Sequence, residues 1–82
     1  MKPCVLIPTY DNPRTLEAVV REARVYCPDV IVVDDGSGEP TRSVLQKVEG
    51  ITVFRHERNR GKGGALKTGF REARRLGFTH AI

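Results

Sequence analysis

An α/β fold on a parallel sheet is what this sequence predicts, and three observations predict it. Four short apolar runs rich in valine and isoleucine punctuate the chain, and the clearest, Val30-Ile31-Val32-Val33, is unbroken by any polar residue. Such a run reads as a strand covered on both faces, as in a parallel sheet sandwiched by helices. Between the runs lie stretches whose apolar residues recur at spacings of three and four, the period of an amphipathic helix. Finally, the first three runs each end in a polar or glycine-rich cluster: Pro8-Thr9-Tyr10-Asp11, Asp34-Asp35-Gly36-Ser37 and Asn59-Arg60-Gly61-Lys62-Gly63-Gly64. Strand–helix alternation in the order βαβαβαβ implies right-handed crossovers, which put all three clusters on one edge of the sheet. In open α/β sheets the crevice outside the carboxyl ends of the strands is where ligands bind.

Taken in order, Val5-Leu6-Ile7 is the first strand, with Pro8 expected to end its ladder and shape the turn. Asn12 followed by Pro13 predicts a helix start, a capping side chain and then proline where no backbone donor is needed. Leu16, Val19, Val20, Ala23 and Cys27 form its apolar face, and Pro28 ends it. Val30 to Val33 is the second strand. Gly38 to Thr41 open a shorter helix with Pro40 near its start, buried through Val44, Leu45 and Val48, and Gly50 suits its C-terminal cap. Ile51 to Phe54 is the third strand and Asn59 to Gly64 a glycine-rich turn. A third helix buries Leu66, Gly69, Phe70, Ala73 and Leu76 and stops at Gly77. Phe78 to Ile82 is a fourth strand running to the last residue, so residues 1–82 read as a single truncated domain. Its uncovered sheet edge favours self-association.

Composition narrows the function classes. The chain has 82 residues, 39% hydrophobic and 29% charged, which is globular rather than disordered. No apolar run approaches the roughly 20 residues of a membrane span, and no signal-peptide core is visible, so the expected location is cytoplasmic or the cytoplasmic face of a membrane. Cys4 and Cys27 form no ligand cluster and read as small buried thiols. The net charge of +4 is uneven: from Arg55 to Arg75 there are eight Lys/Arg against two Glu. That points to an anionic partner or to a solvated basic helix face.

The three clusters carry the candidate chemistry. Asp34 and Asp35 cannot both point one way if the pleat continues. One can face the crevice and accept hydrogen bonds from ring N–H or ribose hydroxyl groups, while the other caps the turn; alternatively both cap it. As a metal site two adjacent carboxylates without a third ligand are poorly equipped. Tyr10 can stack on a planar base or sit as a core-edge aromatic. Gly61-Lys62-Gly63-Gly64 bring backbone amides and a lysine to a helix N-terminus, an anion site in principle. They fail the P-loop pattern, since glycine and not Ser/Thr follows Lys62. His56 and His80 stand alone and read as surface or strand residues rather than catalysts.

With these stretches placed, the chain resembles the N-terminal nucleotide-binding half of a family 2 glycosyltransferase of the GT-A fold, a Rossmann-like sheet. It is most similar to the branch that includes dolichyl-phosphate mannose and glucose synthases. The matching stretches are Val5-Leu6-Ile7-Pro8-Thr9-Tyr10, Ile31-Val32-Val33-Asp34-Asp35-Gly36-Ser37 and Asn59-Arg60-Gly61-Lys62-Gly63-Gly64-Ala65-Leu66 with Gly69. The resemblance implies a nucleotide-sugar donor, UDP- or GDP-linked, held by Pro8, Thr9, Tyr10, Asp34, Asp35, Gly36 and Lys62. Pro8 and Tyr10 would line the base pocket, Asp35 would hydrogen-bond the base, Asp34 would support the turn, and Lys62 would lie near base or phosphates. Asp11 departs from the branch, which more often shows Asn there. The resemblance also implies an inverting transfer to an unidentified acceptor such as a lipid phosphate or glycan. A divalent cation, Mg or Mn, is implied as well, its Asp-x-Asp ligands and the catalytic base lying outside these residues.

A competing expectation is a non-catalytic basic module that binds RNA or another polyanion through the Arg55–Arg75 stretch. It predicts steep salt dependence. Aromatics at 6% and the absence of an RNA-binding signature count against it, so no nucleic-acid partner is expected.

Overall fold

The computed structural model describes residues 2–82. The elements follow the expected order: β1 (Pro3–Thr9), α1 (Pro13–Tyr26), β2 (Val30–Asp34), α2 (Thr41–Lys47), β3 (Ile51–Arg55), α3 (Gly61–Arg75) and β4 (His80–Ala81). The strands form one parallel sheet in the order β3-β2-β1-β4. All five residues of β2 are buried, because this strand has neighbours on both edges and helices on both faces. Alternation of side chains across the pleat divides its apolar residues between two cores. Val30 and Val32 meet Leu16 and Val20 of α1 and Leu45 of α2; Ile31 and Val33 meet Ala65 and Ala73 of α3 together with Cys4 and Leu6. Burial of each such Val or Ile contributes about 1.5–3 kcal/mol.

The chain builds outward from β1 through β2 to β3. It then returns by α3 across the opposite face to place β4 on the other side of β1. The order therefore reverses at β1, the topological switch point where α/β sheets open a crevice. Close approach of α3 to the sheet depends on Gly69: a Cβ there would overlap the Leu6 side chain, with Cδ2 only 2.6 Å away.

Several local expectations are corrected. Pro8 does not end the ladder; β1 continues through it, with Pro8 opposite Val33 and Thr9 opposite Asp34. The amide of Val5 bonds toward β2 (Asp29 O, 2.9 Å) and that of Leu6 toward Ile82 O (2.9 Å). This alternation turns the position of the missing Pro8 donor away from β2, so the proline costs that pairing nothing. Asn12 occupies the N-cap position of α1 but makes no capping bond. The entry is fixed instead by Asp11, whose amide donates to Ser37 Oγ (2.8 Å) and whose Oδ1 accepts from the Gly38 amide (2.9 Å). Gly50 is not the cap of α2, which ends on Val48; its φ of +77° serves the turn into β3.

Val19, Phe70 and Leu76, expected on buried faces, are exposed. The first two flank β4, one on each face of the sheet. Val19 borders a groove with Ile82 on one face of this narrow flank, and Phe70 one with Phe78 and Ala81 on the other. Leu76 sits at the C-cap of α3, past its packed turns. Gly77, at φ +91°, stops the helix as expected: its amide bonds Arg74 O and that of Phe78 bonds Ala73 O, both at 3.0 Å, which is a Schellman motif. Residues 78 and 79 are spent leaving the helix, so β4 is shorter than the predicted Phe78–Ile82. Cys4 and Cys27 are buried free thiols.

Candidate functional site

All three polar clusters emerge at the carboxyl edge of the sheet, as the topology requires. They enclose a cleft of about 560 Å³ lined by Pro8, Thr9 and Tyr10 after β1, Asp35 after β2, Asn59 ahead of α3, and Gly61, Lys62, Ala65 and Leu66 of α3. That volume falls within the span of small-molecule sites, about 300–1,000 Å³. Tyr10 is half exposed at its rim. Gly61-Lys62-Gly63-Gly64, expected as a turn, is the first turn of α3. At this helix start the Lys62 and Gly63 amides have no intrahelical partner, and Lys62 lies at the cleft wall. The helix begins early because other side chains satisfy its approach: the Asn59 Oδ1 accepts from the Gly61 amide (3.1 Å) and the Asp35 Oδ1 from the Arg60 amide (2.8 Å).

The two adjacent aspartates have different tasks, and both are almost wholly buried. Asp34 Oδ1 accepts from the Ser37 amide (3.0 Å) and its Oδ2 lies 3.8 Å from the Arg55 guanidinium. Arg55 in turn donates to Ser37 O (2.8 Å), so Asp34 closes the turn after β2. Asp35 is the one that lines the cleft. Between them and the third cluster stands Gly36, at φ +82°. A Cβ at this position would fall 2.7 Å from the Asn59 amide nitrogen and 2.8 Å from the Arg58 carbonyl carbon. The second and third clusters therefore touch backbone to backbone, which only glycine permits.

His56 was not singled out by the sequence, which reads it as a surface or strand residue. It is 5% exposed, directly after β3, with Nδ1 2.7 Å from Asp35 Oδ1 and Nε2 2.7 Å from Thr68 Oγ1 of α3. The available signal was its position: it follows a strand and so lies on the same edge as the three clusters. Thr68 carried no signal beyond its helical phase. Burial opposes ionisation of Asp35, but the hydrogen bonds from His56 and the Arg60 amide, with a weaker pull from the Gly61 amide, outweigh it. The carboxyl is thereby held below its usual range. Being ionised, it only accepts, so His56 Nδ1 must carry the proton of that bond.

A depressed folded-state pKa means that the native protein binds this proton less readily than the unfolded chain. The stabilisation is then complete above the unfolded value, about 3.9, and is lost as pH falls through the lower folded value. Urea midpoints measured from pH 6 downward should fall below about pH 4, and Asp35→Asn should flatten that acid limb. An unchanged limb in the variant would refute the assignment.

Of the sequence-predicted residues, Pro8, Thr9, Tyr10, Asp35 and Lys62 come together around the cleft, whereas Asp34 and Gly36 sit behind it and shape the loop. His80 is exposed, beside Thr79, and far from this group in the fold. The divalent cation implied by the resemblance finds no fit here. Among the described residues no group of three His, Cys, Asp or Glu side chains could hold one: Asp34 is spent on Ser37 and Arg55, and Asp35 by itself makes no cation site.

Comparison with known proteins bears on what the cleft serves. The family model described as glycosyl transferase family 2 matches residues 4–75. A UDP-N-acetylglucosamine–dolichyl-phosphate N-acetylglucosaminyltransferase of Methanococcus voltae is 28% identical over 95% of this chain and 38% of its own length. The dolichyl-phosphate beta-glucosyltransferases of Mus musculus and Homo sapiens are 34% and 32% identical, over 79% and 85% of this chain and 25% and 27% of their own lengths. The chain thus spans between a quarter and two-fifths of the curated relatives it matches. No solved structure matches it.

Proposed function

The chain belongs to glycosyl transferase family 2, and from that premise we propose that its cleft holds the nucleoside-diphosphate end of an activated sugar donor. The observation that carries this reading is the convergence, around one cleft, of an aromatic ring, an ionised carboxylate and the lysine-bearing first turn of a helix. Each suits a different part of such a ligand. Tyr10 offers a face on which a base can stack. Asp35 offers an acceptor for a ring N–H, matching the imide or amide N–H of uracil or guanine. Lys62, with the Lys62 and Gly63 amides at the start of α3, offers positive charge and donors to the diphosphate. Pro8 and Thr9 form the floor beside the base, and Asp34 with Gly36 holds the loop that presents Asp35.

In the whole protein the reaction is the transfer of the donor's sugar to a nucleophilic acceptor, with inversion at the anomeric carbon. Similarity to proteins named as dolichyl-phosphate transferases supports a lipid phosphate as acceptor and work at a membrane; its cytoplasmic face is the side this reading assigns. No helix among the described residues is long and apolar enough to cross a membrane. A base for the acceptor and ligands for a divalent cation are assigned to residues outside these 82.

Titration with UDP and with GDP, followed by amide chemical shifts, tests the reading. Shifts should concentrate at Tyr10, Asp35 and Gly61–Gly64. Lys62→Ala should weaken UDP about five- to tenfold, the loss of one charge-assisted contact of roughly 1 kcal/mol, and leave uridine affinity unchanged. Shifts at the amino edge of the sheet, or equal losses for UDP and uridine, would reject it. Affinity that collapses with salt equally for single-stranded RNA and UDP would favour the polyanion module instead.

A further inference from the structure

We propose that His56 is a positioning residue of the cleft, clamping one oxygen of Asp35 so that the other is presented to the ligand, and tying that carboxylate to the body of α3. The inference rests on the reading of the cleft as a nucleotide-diphosphate site and names a residue that this reading does not include. Three observations carry it.

First, the two oxygens of Asp35 are unequally employed. Oδ1 accepts from both His56 Nδ1 and the Arg60 amide, whereas Oδ2 accepts neither of these bonds, and the Gly61 amide, itself bonded to Asn59 Oδ1, adds only a weaker pull on the carboxylate. Asp35 lines the cleft, and Oδ2, the oxygen that neither His56 nor the Arg60 amide engages, is the one assigned to the ligand. Without a clamp on Oδ1 the carboxylate would be free to rotate about its terminal torsion, which is broad and roughly two-fold.

Second, the clamp is buried and anchored at its far end. His56 Nε2 meets the hydroxyl of Thr68, itself buried, at 2.7 Å. With Nδ1 carrying a proton, the neutral ring accepts at Nε2 and the Thr68 hydroxyl donates; a charged ring would donate at both nitrogens and the hydroxyl would accept. Either state keeps the chain Asp35–His56–Thr68 intact.

Third, Thr68 and Lys62 lie on the same helix, and the amide leading into that helix is also bound by Asp35. The His56 ring and the Arg60 amide are thus two struts between the carboxylate and α3. Together they set the separation between the acceptor offered to the base and the charge offered to the phosphates.

His56→Leu fills the space without the bonds, His56→Asn restores a donor near the Nδ1 position, and Thr68→Val cuts only the far strut. The first readout is the titration of the Asp35 carboxyl followed by its carbon chemical shift, which needs no ligand. In His56→Leu its midpoint should rise by about one pH unit, the worth of a lost hydrogen bond to the charged form, and His56→Asn should recover most of that rise. The second readout is UDP affinity, expected to fall about tenfold in His56→Leu, two- to threefold in Thr68→Val, and little in His56→Asn. An Asp35 midpoint unmoved in folded His56→Leu, or UDP affinity unmoved where the wild type binds, would overturn the proposal. Failure of the wild type to bind UDP or GDP would sink the functional reading alone, leaving the clamp to be decided by the carboxyl titration. Should His56→Leu not fold, Thr68→Val and His56→Asn carry the same two readouts.

Discussion

Alanine at Gly36 is expected to remove about 3 kcal/mol of stability and to open the cleft. Two costs add. A residue with a Cβ held at the observed φ of +82° is disfavoured by about 1–2 kcal/mol. Its Cβ would also stand 2.7 Å from the Asn59 nitrogen and 2.8 Å from the Arg58 carbonyl carbon. Both are backbone atoms, which cannot swing aside as a side-chain tip can, so overpacking adds about 1–3 kcal/mol. A domain of this size has about 4–12 kcal/mol to lose. The relief available is for the segment before α3 to move away from the turn after β2, which lengthens the bond from the Arg60 amide to Asp35. Urea denaturation and UDP titration should therefore both register the change. Gly38→Ala is the control: its Cβ would meet nothing within 4 Å and its φ is not positive. That variant should stay within about 0.5 kcal/mol of wild type. Equal behaviour of the two variants would show that the contact between the loops is not limiting.

Removal of the Asp35 side chain should do still more. Asp35→Ala leaves the His56 Nδ1–H and the Arg60 amide without an acceptor in a site where both Asp35 and His56 are nearly inaccessible. Each unpaired buried donor costs about 1–3 kcal/mol, giving a loss of roughly 4 kcal/mol. Nucleotide affinity should drop at least tenfold, and about a hundredfold if the base N–H bond is as strong as charge-assisted bonds usually are. Asp35→Asn separates the two effects. Its Oδ1 can still accept from His56 and Arg60, so most of the stability returns, whereas the charged acceptor at Oδ2 is gone and UDP affinity stays about tenfold down. Stability and affinity that fall together in Asp35→Asn would mean that the carboxylate acts only through the fold.

The placing of Asp35 shows how far the sequence carried. Its carboxylate was expected either to face the crevice or to cap the turn beside Asp34, and the local sequence left both open. The structure divides the roles: Asp34 caps Ser37 and pairs with Arg55, and Asp35 reaches the cleft. The pleat already required the two to diverge, but which went where depended on Arg55 and His56, residues 21 positions on in each case. The glycine-rich segment is similar. Its composition announced backbone amides near an anion site, yet its assignment as a turn failed because the bond that starts α3 early comes from Asp35, in another loop.

By itself the sequence determined the strand and helix order, the doubly covered β2 and the meeting of three clusters at one sheet edge. Those follow from periodicity and β-branched runs, which act over a few residues, and from the single hand allowed to parallel crossovers. Only the tertiary structure decided that Pro8 lies inside a strand and that His56 is locked between Asp35 and Thr68. Each of these depends on which strand lies alongside or which side chain from a distant loop reaches the same buried space. A buried histidine between two partners and an exposed one are the same letter until the fold closes around it.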